Sequence, residues 1–335
     1  MSLATDIYSN VARQRRRWYA SRPDWRRRLA RPVVSVGNVA VGGSGKTPTA
    51  ALVARVLAEA GYRPAILTRG YARAAASDGV TVASDGRRVL ADLDHAGDEP
   101  LMLARQLPRV PVLVSSDRYL AGRLAERRFD CTVHVLDDGF QHFELERDVD
   151  LVLLSPEDVE RPLTLPAGRL REPLDAVRAA SALIVGDADL GRSAEVGKAV
   201  GVQDVFRLER ALDRPRSFDP AAGGAVPDAG ARVLAVAGLA RPERFFAGVE
   251  AAGWTVAGRM AFRDHHRFTR ADIDRVAAAM RTARADIVLT TEKDIVRMEP
   301  LQPLPMPVAW VPLRVSVEPA QEFSAWLFER LRSRQ

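Results

Sequence analysis

The sequence predicts an α/β protein: a doubly wound, mostly parallel sheet followed by a second, smaller α/β domain. Three observations carry this. Short apolar runs alternate with helical stretches up to residue 212, the first run leads through a glycine-rich turn directly into a helix, and a Pro- and Gly-rich stretch at 213–230 breaks the alternation before a second series begins. With 335 residues and 47% hydrophobic content, the chain is long enough to bury a large core in two domains.

Residues 1–32 form a basic segment, read as an amphipathic helix, and the first domain spans 33–212. Its strands are expected at 33–36, 65–68, 110–114, 132–136, 151–154 and 182–185, with helices at 49–60, 100–106 and 117–128. After the connector at 213–230, the smaller domain occupies 231–335, with strands at 233–237, 287–289 and 308–311 and helices at 242–252, 270–283 and 318–333. No internal repeat of solenoid period is present.

The turn after the first strand has the composition of a phosphate-binding loop. Gly42, Gly43 and Gly45, with Ser44 among them, allow successive backbone N–H groups to converge on phosphate oxygens at a helix N-terminus, with Pro48 in its first turn. Lys46 can reach the β- and γ-phosphates of a nucleotide, and Thr47 can hold Mg²⁺. The usual first glycine of this motif is replaced by Ala40. The chain holds only three lysines, 46, 198 and 293, against 46 arginines, so a lysine at position 46 is a selected residue rather than a typical basic one. This loop makes the fold P-loop NTPase-like.

A second chemical signal lies at 131–142. An apolar strand running into Asp137 and Asp138 puts an acid at the carboxyl edge of the sheet, where it can complete the shell of a bound Mg²⁺. Adjacent residues leave a strand in opposite directions, so one aspartate is assigned to metal and the other to a neighbouring group, in either order.

Charge is strongly segregated. Residues 1–32 contain nine arginines and two aspartates, a net +7, whereas the rest carries 40 basic and 41 acidic groups. Ile7, Tyr8, Val11, Trp18 and Tyr19 fall near one helical face, with Trp25 close behind. Aromatics beside a polybasic run suit the headgroup layer of an anionic phospholipid membrane; a basic helix packed on its own domain is the alternative. Positive charge confined to one arm argues against nucleic acid as the partner. A single cysteine, Cys131, excludes an internal disulfide framework, and neither a signal-peptide pattern nor an uncharged apolar run of about 18 residues is found.

Several blocks together resemble the tetraacyldisaccharide 4′-kinase (lipid A 4′-kinase) family. They are Gly37-Asn38 leading into Gly42–Pro48, Thr68-Arg-Gly-Tyr71, Gly97-Asp-Glu-Pro100, Leu136-Asp-Asp-Gly-Phe-Gln-His142 and Leu165-Pro-Ala-Gly-Arg-Leu-Arg-Glu-Pro173. In the C-terminal half, Gly238–Phe246, Phe262-Arg-Asp-His265-His-Arg-Phe268 and Thr290-Thr-Glu-Lys-Asp294 add to them. The resemblance implies ATP- and Mg²⁺-dependent phosphorylation of the 4′-hydroxyl of a tetraacyldisaccharide 1-phosphate, a lipid A precursor, at the cytoplasmic face of the bacterial inner membrane, here by peripheral attachment.

Carried over position by position, the resemblance makes Lys46 the neutraliser of the transferring group. Thr47 binds Mg²⁺ and Asp138 or Asp137 completes or orients the metal shell, with Glu172 a weaker candidate. Asp98 is the base toward the sugar hydroxyl, assisted by His265 from the second domain, although Asp98 at a helix start could equally be a capping residue. Asn38, Arg69, Tyr71, Arg118, Gln141, His142 and Arg171 are expected to face the substrate, the arginines toward its phosphate. A P-loop ATPase or GTPase acting as a switch or metallochaperone is the other class. Thr291-Glu-Lys-Asp294 departs from the Asn-Lys-x-Asp guanine reader and argues against GTP.

Overall fold

The computed structural model describes residues 3–71, 73–75, 78–218, 226 and 230–332. It divides into two compact units, residues 1–209 with 315–335, and residues 210–314.

The first unit opens with helix α1 (Leu3–Ala20) and continues with β1 (Val33–Asn38), α2 (Lys46–Glu59), β2 (Pro64–Thr68), β3 (Thr81–Asp85), α3 (Leu93–Ala96), α4 (Asp98–Gln106), β4 (Pro111–Val114), α5 (Arg118–Phe129) and β5 (Val133–Asp137). Then come β6 (Val149–Leu154), α6 (Pro156–Glu160), β7 (Ala182–Gly186), α7 (Leu190–Val200) and β8 (Val205–Leu212). The second unit holds β9 (Arg216–Ser217), β10 (Arg232–Ala237), α8 (Pro242–Ala251), β11 (Thr255–Ala261), α9 (Arg270–Ala283), β12 (Ile287–Thr291), α10 (Glu292–Met298) and β13 (Val308–Val311). From there β14 (Leu313–Glu318) leads the chain back to α11 (Ala320–Arg332) in the first unit.

The nine-stranded sheet has the order β14-β8-β7-β6-β1-β5-β2-β4-β3. Its central strands run parallel, with Val36 beside Asp137 and Asn38 beside Leu153, while β3 is antiparallel to β4. Every residue of β1, β2, β4 and β5 is buried, the reason these strands read as mostly apolar runs. After β1 the chain builds strands on one side of it and, from β6 onward, on the other. Such a reversal leaves a crevice beyond the carboxyl ends of the strands flanking it.

Three features depart from the sequence reading. Helix α2 starts at Lys46 rather than 49, because Pro48 falls in the first turn, where its missing N–H is one the helix leaves unpaired anyway. The expected connector contains β9, antiparallel to β13, and 219–225 and 227–229 of it lie outside the described residues. The C-terminal helix does not belong to the smaller unit: Phe323, Leu327 and Leu331 of α11 are buried, and Phe323 meets Phe206 edge-on at 5.1 Å between ring centres. The second unit, Arg210–Arg314, has its own five-stranded sheet in the order β11-β10-β12-β13-β9.

Where β1 ends, Gly37 faces the turn that follows β5, and a Cβ there would lie 2.6 Å from both the Cβ and the backbone N of Phe140. Gly37→Ala must push these segments apart. We expect a loss of about 1–3 kcal/mol, read as a lower urea midpoint at unchanged m-value.

Candidate active site

The turn between β1 and α2 has the geometry that phosphate binding requires. Gly42 and Gly45 adopt φ of 97° and 93°, a region that glycine enters without strain, and Gly45 occupies the N-cap of α2 without a side-chain cap. The first amides of α2 therefore remain to serve an anion. Asn38 ties the turn together: its Nδ2 donates to Ala40 O at 2.6 Å and Ser44 Oγ at 2.8 Å. Its buried Oδ1 has no partner among the described residues.

Lys46 and Thr47 begin α2 and face the end of β5. Thr47 Oγ1 donates to Asp137, at 3.1 Å from Oδ2 and 3.3 Å from Oδ1, and Thr68 Oγ1 lies 3.5 Å from Oδ2. Asp137 is 2% exposed. Burial, followed by the negative charges of Glu99 and Asp138, pushes its carboxyl up to about 7, against the opposing pull of Lys46 and Thr47. Such a carboxylate is short of positive charge. With the Thr47 hydroxyl it forms a set of hard oxygen donors, and the two fit Mg²⁺ on both charge and ligand type.

Asp138 has a different environment. It turns out of the strand at φ 54° and accepts from Arg171 Nη1 at 2.9 and 3.2 Å, with Lys46 Nζ at 3.7 Å. Burial alone would raise its pKa, but Lys46, Arg171 and Arg118 together bring it below the ordinary value. The structure thus separates the two aspartates, one beside Thr47 and one among cations.

The flanking segment at 169–171 runs beside the phosphate-binding turn through Val41 N–H to Arg169 O at 2.8 Å and Arg171 N–H to Val39 O at 2.6 Å. This places Arg171 next to Asp138 and Glu172 next to Gln141, whose Nε2 donates to Glu172 Oε1 at 3.0 Å. Glu172 Oε2 accepts from Arg16 of α1 at 2.7 Å, so both of its oxygens already have donors. Arg118 is buried at the start of α5, and burial, then the facing charge of Arg69, lowers its pKa to about 10. His142 is driven to about 3 by burial and then by Arg118 and Arg147. Arg69 and Tyr71 are exposed beyond the end of β2.

Asp98 is the first residue of α4, with Gly97 (φ 88°) at the N-cap, and it is 5% exposed. Its Oδ1 accepts the N–H of Glu99 at 2.9 Å, so it does not fill the N-cap role. Sequence reasoning missed Glu99, Thr68 and Arg16. Glu99 stood in the same block as Asp98; Arg16 had no distinguishing signal within a basic run.

In the second unit His265 has φ 57°, and Lys293 Nζ lies 3.2 Å from both its Nε2 and Asp264 Oδ1. An ammonium group only donates, so Nε2 accepts and the ring hydrogen sits on Nδ1. Asp294 next door is spent on structure: it accepts the Gly238 N–H and pairs with Arg297, both at 3.0 Å and fully enclosed.

With this geometry established, similarity to known proteins is decisive. A family model described as tetraacyldisaccharide-1-P 4′-kinase matches residues 1–332. The chain belongs to this family. A tetraacyldisaccharide 4′-kinase of Syntrophus aciditrophicus is 37% identical over 91% of this chain and 85% of its own length. One from Geobacter sulfurreducens is 35% identical, covering 92% and 91%. The crystal structure of LpxK from Aquifex aeolicus in complex with ATP superposes with a TM-score of 0.76 at 30% identity, covering 98% of this chain and 97% of that one.

The His142 environment has a measurable consequence. The folded imidazole refuses a proton that the unfolded chain takes near pH 6.5, so stability is intact above that pH and is lost as pH falls below it. At pH 5 this amounts to ~2 kcal/mol. Urea melts at pH 7.5 and 5 should show the drop in the parent and a correspondingly smaller drop in His142→Gln.

Proposed function

We propose that this chain is an ATP-dependent kinase that phosphorylates the 4′-hydroxyl of a tetraacyldisaccharide 1-phosphate, with the chemistry centred on Lys46, Thr47, Asp137 and Asp138. One observation carries the reading: a glycine-rich turn sets Lys46 and Thr47 against two differently tuned aspartates, in a chain matched to this family from 1 to 332. A switch or metallochaperone is disfavoured by the same full-length match.

Thr47 and Asp137 would hold Mg²⁺, which supplies charge neutralisation at the phosphate oxygens. The α2 amides and Lys46 bind and orient the triphosphate of ATP, and Asp138 keeps Lys46 and Arg171 aimed at the same place. Arg118 is a cation facing Asp138 and Asp137, Arg69 is a second cation near Arg118, and both suit the anionic groups of either substrate. Asp98 takes the proton of the sugar hydroxyl. Catalysis of this kind is mostly positioning and electrostatics.

The acceptor carries acyl chains, and α1 supports a site of action at the anionic cytoplasmic face of the inner membrane. Leu3, Ile7, Val11 and Trp18 recur at helical spacing and are exposed, as is Trp25, while Thr5, Ser9 and Arg16 occupy the opposite face. Among the described residues no helix is long and apolar enough to cross a membrane. Attachment would be peripheral.

Lys46→Ala should abolish transfer of labelled γ-phosphate to the lipid acceptor in micelles without loss of fold, and full activity would remove the turn from the account. Asp98→Asn should lower kcat by about 10²–10⁴-fold with little change in the KM for ATP. Replacing Ile7, Val11 and Trp18 together by serine should reduce co-sedimentation with anionic vesicles; undiminished partition would refute attachment through α1.

A further inference from the structure

Arg16 faces inward from α1, its side chain 17% exposed against 5% for Glu172. Its Nε donates to Glu172 Oε2 at 2.7 Å and its Nη2 to Oε1 at 3.0 Å, a two-pronged geometry that lysine does not reproduce. The same guanidinium lies 4.3 Å from the ring centre of Phe140 and 4.8 Å from that of Phe143. Phe140 follows the aspartate pair in the same turn, so Arg16 grips that turn by a second route.

From Glu172 the contacts run on to the phosphate-binding turn. Gln141 Nε2 donates to Glu172 Oε1 at 3.0 Å and to Asn38 O at 2.8 Å, which fixes the amide so that Oε1 faces Arg171 Nη1 at 3.4 Å. Arg171 then donates to Asp138 at 2.9 Å, and Asp138 lies opposite Lys46 at 3.7 Å. The charged members alternate in sign: Arg16, Glu172, Arg171, Asp138, Lys46.

We propose that Arg16 is a positioning residue of the active site: it holds Glu172, Gln141, Arg171 and Asp138 in register with Lys46, so that the seating of α1 on its own unit is a condition of catalysis as well as a means of attachment. The proposal rests on the functional reading above. Its physical basis is that a buried carboxylate stripped of its guanidinium is strongly disfavoured. Without Arg16, Glu172 turns to the remaining cation, Arg171, and competes with Asp138 for the group that orients Lys46.

The test uses the full-length chain and γ-phosphate transfer to tetraacyldisaccharide 1-phosphate in detergent micelles, where bilayer attachment is not read. Arg16→Met should lower kcat about 10²-fold with the KM for ATP changed less than about threefold. Arg16→Lys should recover only part of the loss. Arg16→Met combined with Glu172→Gln should be at least as active as Arg16→Met alone, because the unpaired carboxylate is gone. Partition of Arg16→Met onto anionic vesicles should fall by no more than about fivefold, the most that a single basic residue contributes at such a surface. Unchanged kcat in Arg16→Met, single-variant losses that simply multiply in the double variant, or a change confined to KM would each overturn the proposal. If the parent chain leaves the lipid unphosphorylated, the functional reading fails separately. Arg16 is then judged by urea midpoints: the shifts of the two single variants should be less than additive in the double, and additive shifts overturn it.

Discussion

The parallel pairing of β1 with β5 sets Val36 beside Asp137, and most of the site follows from that register. One strand runs out into the phosphate-binding turn and its neighbour into the aspartate pair, so an anion-binding helix start and the acids that complement a cation share one edge of the sheet. The approach is close enough to exclude a side chain at Gly37, and at Gly139, where a Cβ would lie 2.7 Å from Ser35 Oγ. Glycine in the Asp-Asp-Gly-Phe turn is thus a packing requirement as well as a turn preference.

Two neighbouring carboxylates in one turn would ordinarily repel one another into a shared protonation state. Here the backbone separates them. Asp137 ends the strand inside the sheet edge and is left short of positive charge, while Asp138 swings out at positive φ into the reach of Arg171 and Lys46. The result is one group that favours a divalent cation and one that keeps side chains aligned, from a change in backbone direction between two consecutive residues.

The central strands of the first unit were legible because parallel strands covered on both faces are mostly apolar, and the bounds of β2, β4, β5 and β7 depart from the sequence reading by one residue. Strands β3, β8, β11 and β14 were not, since edge and half-exposed strands such as Thr81–Asp85 and Leu313–Glu318 mix polar with apolar residues. The phosphate-binding turn and the acids could be read because glycine, lysine and aspartate carry their chemistry locally. What α1 does with Arg16 could not, because nine arginines in 32 residues look alike until packing selects one of them. The return of α11 to the first unit was hidden for a related reason: its apolar stripe specifies burial without naming the surface that buries it.

Cys131, at the opposite end of β5, is buried, and enclosure followed by the nearby Glu126 raises its thiol to about 12. Among the described residues it is the sole thiol, and it is held in its unreactive protonated form at any pH the fold would normally meet. For labelling chemistry the chain therefore behaves as a cysteine-free background. A cysteine introduced on the outer face of α1 would be the single handle open to a maleimide fluorophore, giving an optical report on that helix without first engineering away a native sulfur.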